Sequence, residues 1–218
     1  MTRALDIDRF QLLWRQSLLD QSTDNSAAIH QQLVDSYSEP QRVYHTLNHI
    51  EHCLTHFDRI SAQLQNPVAV ELAIWFHDVI YAPGAADNEQ LSANLFMELT
   101  QDCFDDSLRN TVYQHIMATL HDGSQIDNND TKFMVDIDLS SFALPWPEFS
   151  RDSNNLRKEM SSLSDEDFYR KQFAFQQNLI NQPRFFKSDY FYENYEDQAR
   201  QNLADLFEGT RQKNPGMI

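Results

Sequence analysis

The sequence predicts an all-α protein. Apolar residues recur at the three-and-four spacing of amphipathic helices, and strand-like alternation is scarce. The four glycines, Gly84, Gly123, Gly209 and Gly216, fall in or near polar or proline-containing breaks. The helical pattern runs through segments near 7–19, 26–37, 44–64, 68–82, 88–102, 106–120, 131–143, 165–181 and 195–208. Between them lie Pro40, Asn66-Pro67, Pro83-Gly84, the polar stretch His121 to Asp130, and Pro145-Trp146-Pro147. Asp87 and Ser164 read as N-caps, with Gln90 and Asp167 placed three residues on to reach back as in a capping box. At 218 residues, with no repeat, low-complexity tract or linker, the chain is expected to form one helical-bundle domain over 1–218.

Composition narrows the function. Seventeen basic against 33 acidic residues give a formal charge of −16, which repels a nucleic-acid backbone and makes a long polyanion an unfavourable partner. A small phosphate ester stays open, because a bound divalent cation reverses the local field. The few glycines leave no GxGxxG, GxxxxGK[ST] or GxSxG, so a dinucleotide fold, a P-loop and a nucleophile elbow lose their usual basis. The opening MTRALDIDRFQLLWRQSLL has no uninterrupted apolar core of a secretory signal, and no run approaches the roughly 18 apolar residues of a membrane span. The expectation is a soluble, cytoplasmic protein. Cys53 and Cys103 form no CxxC and suit a reducing compartment as buried, inert thiols.

Chemistry concentrates in three places. In YHTLNHIEHCLTHFDRISAQL, at about 100° per residue, His45, His49, His52 and His56 fall within roughly 60° of one another. His45 and His49 begin the helix and are the functional candidates, while His52 and His56 read as a solvated polar face. The dipeptide His-Asp means little alone: eight histidines and 22 aspartates produce about one copy by chance, and the chain has two. His121-Asp122 opens a polar stretch, whereas His77-Asp78 sits in VAVELAIWFHDVIYA, apolar almost all round and therefore buried. A divalent cation satisfies a buried imidazole and carboxylate together; the competing reading is an internal hydrogen-bonded couple. In TKFMVDIDLSSFAL, Asp136 and Asp138 lie about 200° apart on a helix, so one of them faces the site while the other is solvated or caps a neighbour. His115, inside VYQHIMATL, reads as a core histidine, with an extra ligand of a two-metal site as the other possibility.

Arg42-x-Tyr44-His45-x-x-x-His49-Ile50, then His77-Asp78, then Asp138-Leu139, resemble in this order the HD superfamily of metal-dependent phosphohydrolases, most closely its uncharacterised bacterial branch. That branch tends to carry the equivalents of Asn88-Glu89, Ser92-Ala93 and Thr119-x-His121. The resemblance covers about 42–139 and thins beyond to Leu156-Arg157-x-Glu159 and Ala199-Arg200-x-Asn202-Leu203. It implies a bundle of the HD-domain type in which His49, His77, Asp78 and Asp138 hold metal, the last because Asp138-Leu139 looks like the family's Ala-Asp-Leu with Ile137 in place of Ala. The Tyr-His-x-x-x-His start is also similar to the cyclic-nucleotide phosphodiesterases, which implies His45 as general acid and His49 as ligand, although Thr46 stands where those enzymes have Asn.

The implied activity is hydrolysis of a small phosphate ester or nucleotide by a metal-activated water. One or two ions are expected; two imidazoles with two carboxylates suit Mn, Fe, Co, Ni or Zn, and Mg where water and phosphate supply most of its ligands. Asp78 and Glu89 join His45 as catalytic candidates, and Arg42, Asn88 and His121 are candidate substrate contacts, Arg42 as a phosphate clamp or equally a solvated arginine at the helix start. The rival reading keeps the metal and pocket for sensing a nucleotide or phosphate without turnover. The sequence leaves the oligomeric state open.

Overall fold

The computed structural model describes residues 5–213, with side chains to residue 210. Ten α-helices and no named strand occur among the described residues: α1 Ile7–Ser17, α2 Ser26–Tyr37, α3 Leu47–Ile60, α4 Pro67–Phe76, α5 Asn88–Thr100, α6 Asp106–Ala118, α7 Asn129–Asp138, α8 Trp146–Glu159, α9 Asp165–Ile180 and α10 Asp189–Lys213. The protein is all-α. The chain gathers into two compact units, 1–138 and 139–218. None of the described helices is long and apolar enough to cross a membrane.

In the first unit α4 is the centre, touching α1, α3, α5, α6 and α7. Leu72, Ala73, Ile74, Trp75 and Phe76 are fully buried, as an apolar helix of this kind requires. Burying side chains such as Leu72, Ile74 and Phe76 contributes roughly 1.5–3 kcal/mol each. The one acid in the helix, Glu71, meets Arg9 at 2.6 Å, and Arg9 also pairs with Asp58. Trp14 packs among Phe10, Phe76 and Phe104 and donates its indole N–H to Asn25.

In the second unit, Glu196 is buried and accepts the backbone N–H groups of Phe185 and Phe186, and Asn202 donates to the carbonyls of Phe142 and Leu144. These contacts tie α10 to the loop before it and to the 3-10 turn Leu139–Ala143.

Several local expectations change. Ser164 caps α9 and bonds with Asp167, but Asp87, although placed at the start of α5, makes no side-chain cap. Gly209 lies inside α10, not in a break. Helix α8 goes unpredicted because Pro145-Trp146-Pro147 reads as an interruption. Proline is at home in a helix's first turn, where its missing N–H has no intrahelical partner to lose.

Candidate metal centre

Helix α3 begins at Leu47 with Thr46 as its cap, the hydroxyl accepting from the N–H of Asn48. His45 therefore precedes the helix, and His49 projects from its first turn. Threonine is among the residues that favour the N-cap position. Helix α4 ends one residue before His77, so the His-Asp pair sits at the end of a buried helix and enters a turn instead of continuing it.

A helix end buried in this way leaves carbonyls without intrahelical partners. Four side chains take them and their neighbours up. The Tyr37 hydroxyl donates to the carbonyl of Trp75 at 3.0 Å. Arg42 donates to the carbonyls of Asp78 at 2.7 Å, Val79 at 2.9 Å and His45 at 3.2 Å. The Ser92 hydroxyl accepts the N–H of Ile80, and Asn88 pairs with both the N–H and the carbonyl of Ala82. The segment 77–82 is thus locked from three directions. This corrects two expectations. The Arg42 side chain is 0% exposed, lies between the rings of Tyr37 and Tyr81, and is committed to carbonyls and Glu39, so it is neither a phosphate clamp nor a solvated arginine. The Asn88 amide is committed to the turn in the same way and is not a substrate contact.

Onto this frame four ligand atoms converge. His49 Nε2 lies 3.2 Å from His77 Nε2, 3.2 Å from Asp138 Oδ1 and 3.7 Å from Asp78 Oδ2. His77 Nε2 lies 3.1 Å from Asp78 Oδ2 and 3.4 Å from Asp138 Oδ1. Donors about 2.1 Å from a common ion stand about 3.0 Å apart at neighbouring corners of an octahedron and about 3.4 Å apart in a tetrahedron. The observed separations match such a shell. His77 Nδ1 faces the carbonyl of Ile74 at 2.9 Å; a carbonyl only accepts, so Nδ1 holds a proton, and when the ring is neutral its Nε2 lone pair is the one turned inward. These four residues form a group able to hold a metal ion.

The electrostatics follow from the crowding. Burial opposes a charged imidazole at His77, yet Asp78 and Asp138 outweigh it and hold the His77 pKa well above the ordinary value. Burial opposes charge on the two carboxylates as well, but His77 and His45 pull Asp78 down, and hydrogen bonds from His121, His49 and His77 pull Asp138 far below its usual range. Without metal, a proton is the cation that this cluster attracts.

Asp138 closes the choice between the two aspartates: it faces the histidines, while Asp136 is fully buried outside the group and not solvated. His121 was expected to touch substrate and instead lies 2.8 Å from Asp138 Oδ2, orienting the carboxylate whose other oxygen faces the histidines. It does so from a left-handed backbone, φ 50°, a conformation that costs energy for a residue with a Cβ. Removing this support in His121→Ala is expected to weaken Mn²⁺ binding by about 10–100-fold, the usual range for a group that orients a ligand. His121→Gln should recover part of that, as read by isothermal titration.

Glu89 is half-buried and stands outside the ligand group, and its pKa is raised by burial and by the fields of Asp78 and Asp138. The His45 ring packs 4.2 Å from Tyr81 and 6.0 Å from the His49 ring. Cys53, a free thiol, has Sγ 3.7 Å from His49 Nε2; burial, with Asp138 and Asp78, pushes its pKa up, and it stands outside the ligand group. His56 was expected on a solvated face but is only 6% exposed, and burial brings its pKa down to about 4. His115 is the core histidine expected, its Nδ1 against Thr131, and stands outside the ligand group. Comparison with known protein families, curated proteins and solved structures finds no match to this chain.

Proposed function

We propose that the protein is a metal-dependent phosphohydrolase acting on a small phosphate ester or nucleotide, with His49, His77, Asp78 and Asp138 holding a divalent ion. The observation that carries this reading is the convergence of two imidazole nitrogens and two carboxylate oxygens within 4.8 Å of one another, each imidazole nitrogen 3.1–3.7 Å from the other and from both carboxylates, with the Nδ1 proton of His77 set by the carbonyl of Ile74. When bound, such an ion supplies a water acidified toward neutral pH and positive charge for phosphoryl oxygens. The protein's own part is to keep both carboxylates ionised, hold Asp138 through His121, and place two proton-carrying groups at the cluster. Glu89, its pKa raised, suits accepting and returning a proton at its carboxylate, and His45 suits donating one to a departing alkoxide. The donor set suits Mn, Fe, Co, Ni or Zn, with Mg where water and phosphate complete its shell.

Metal-stripped protein reloaded with Mn²⁺ or Co²⁺ tests the reading on a panel of aryl phosphates, aryl phosphodiesters, nucleotides and cyclic nucleotides. The expected result is metal-dependent turnover of at least one member, lowered by about 10³-fold or more in His77→Ala and Asp78→Ala. Saturable nucleotide binding with no turnover across the panel favours a sensor. Absence of any metal uptake removes both readings.

A further inference from the structure

The 139–218 unit contains a cavity of about 220 Å³ between α8, α9 and the C-terminal part of α10. Trp146, Phe168, Tyr169, Phe173 and Phe207 supply aromatic wall. Two further residues in that wall bear on what fills it. Gln176 is 8% exposed and lines the cavity, and its amide meets no hydrogen-bond partner among the described residues, which leaves its donor and acceptor to the contents of the cavity. Gly209 stands inside α10, where glycine is a poor helix former. A Cβ there would meet nothing within 4 Å, and its φ lies outside the left-handed region. Neither crowding nor backbone conformation calls for glycine at this position, and its missing side chain leaves the cavity wall open there.

An unpartnered amide facing an aromatic-lined cavity points to a ligand there. The chemistry of the wall describes that ligand. Neither charge there needs an ionic occupant: Arg157 gives its donors to Asp165 and to the carbonyls of Met160 and Leu163, and lies over the Phe168 ring, while Asp205 is exposed to solvent and also accepts from Gln201. An uncharged occupant fits. Aromatic faces favour a flat ring, and a primary amide presents a donor beside an acceptor. The volume falls below the roughly 300–1,000 Å³ of sites for drug-sized molecules, which limits the occupant to about one ring system.

We propose that this cavity is a second ligand site, separate from the metal centre, for a small neutral heteroaromatic molecule of the nucleobase class, held between aromatic walls and paired along one edge with the Gln176 amide. Free adenine, cytosine and uracil are the probes, titrated into the full-length protein with calorimetry and tryptophan fluorescence as readouts. Trp14 and Trp75 are fully buried in the other unit and Trp146 is 41% exposed at the cavity, so occupancy should quench Trp146 and leave no signal in Trp146→Phe. Saturable binding of at least one base is expected, near one equivalent, and equal in His77→Ala. Gly209→Leu fills the space and should weaken it at least about tenfold with the thermal midpoint unchanged or raised. Gln176→Met keeps the size, removes the amide, and should weaken it about fivefold without loss of stability. No saturable binding of any base, binding undiminished in both variants, or binding lost in His77→Ala each overturns the proposal.

Discussion

Arg42→Met is expected to destabilise the protein by about 3–5 kcal/mol and to weaken metal binding with it. The guanidinium is fully buried and serves the carbonyls of Asp78, Val79 and His45. Methionine restores the volume but leaves these acceptors buried and unpaired. An unsatisfied buried carbonyl costs about 1–3 kcal/mol, and breaking a buried charged contact typically costs about 3–5 kcal/mol, so partial access by water sets the outcome near the single larger figure and not their sum. Lysine should recover little, since one ammonium cannot reproduce a planar fork reaching two successive carbonyls. Because Asp78 is itself a candidate ligand, freeing its backbone also loosens the donor set. Urea denaturation and Mn²⁺ titration of the same variant measure the two effects. A phosphate clamp predicts the opposite pattern: stability within about 0.5 kcal/mol of the parent, as for other surface changes, and a raised KM alone.

That reversal for Arg42 shows where a one-dimensional pattern stops informing. The helix periods of α2 and the burial of α4 were readable because each depends on residues a few positions apart. The candidate metal group was readable in part: burial singled out His77-Asp78 from His121-Asp122, whereas His49 rested on helix position with the resemblance and Asp138 over Asp136 on the resemblance alone. What Arg42, Asn88 and Ser92 do was not. Their partners are backbone atoms in segment 77–82, and a carbonyl carries no residue signature, so Arg42 and Asn88 read as substrate contacts and Ser92 received no role, when all three are the frame of the site. His121 was hidden for another reason: its bond to Asp138 depends on a left-handed backbone that no neighbouring residue type announces. His56 points the same way, since four histidines on one helix line read as a wet face until the neighbouring elements covering that face are known. Helix α8 was lost to prolines that open it.

The metal-free protein should lose stability as pH rises, and bound Mn²⁺ should cancel that loss. His77 has a folded pKa above its reference of 6.5, so its contribution is complete below that value and disappears as pH climbs through the folded one. Asp78 and Asp138 have folded values below 3.8, so their contribution is complete above that value and disappears only as pH falls through the folded ones. Between these limits the stripped protein holds a proton among two imidazoles and two carboxylates. On the alkaline side that proton leaves and the carboxylates face each other across neutral rings. A divalent ion takes the same place with twice the charge, and binding it requires the proton to go. Apparent Mn²⁺ affinity is therefore expected to rise about tenfold per pH unit for each proton displaced, up to the His77 pKa. Thermal midpoints of stripped and Mn²⁺-loaded protein across pH 6 to 9 should diverge steadily, the stripped form falling and the loaded form holding. In His77→Ala the alkaline fall of the stripped protein should flatten and the Mn²⁺-induced shift should collapse over the whole range. A Mn²⁺-induced shift that is constant with pH, or greatest at the acid end, would mean that the ion binds elsewhere, because only a site whose ligands compete with a proton produces the divergence.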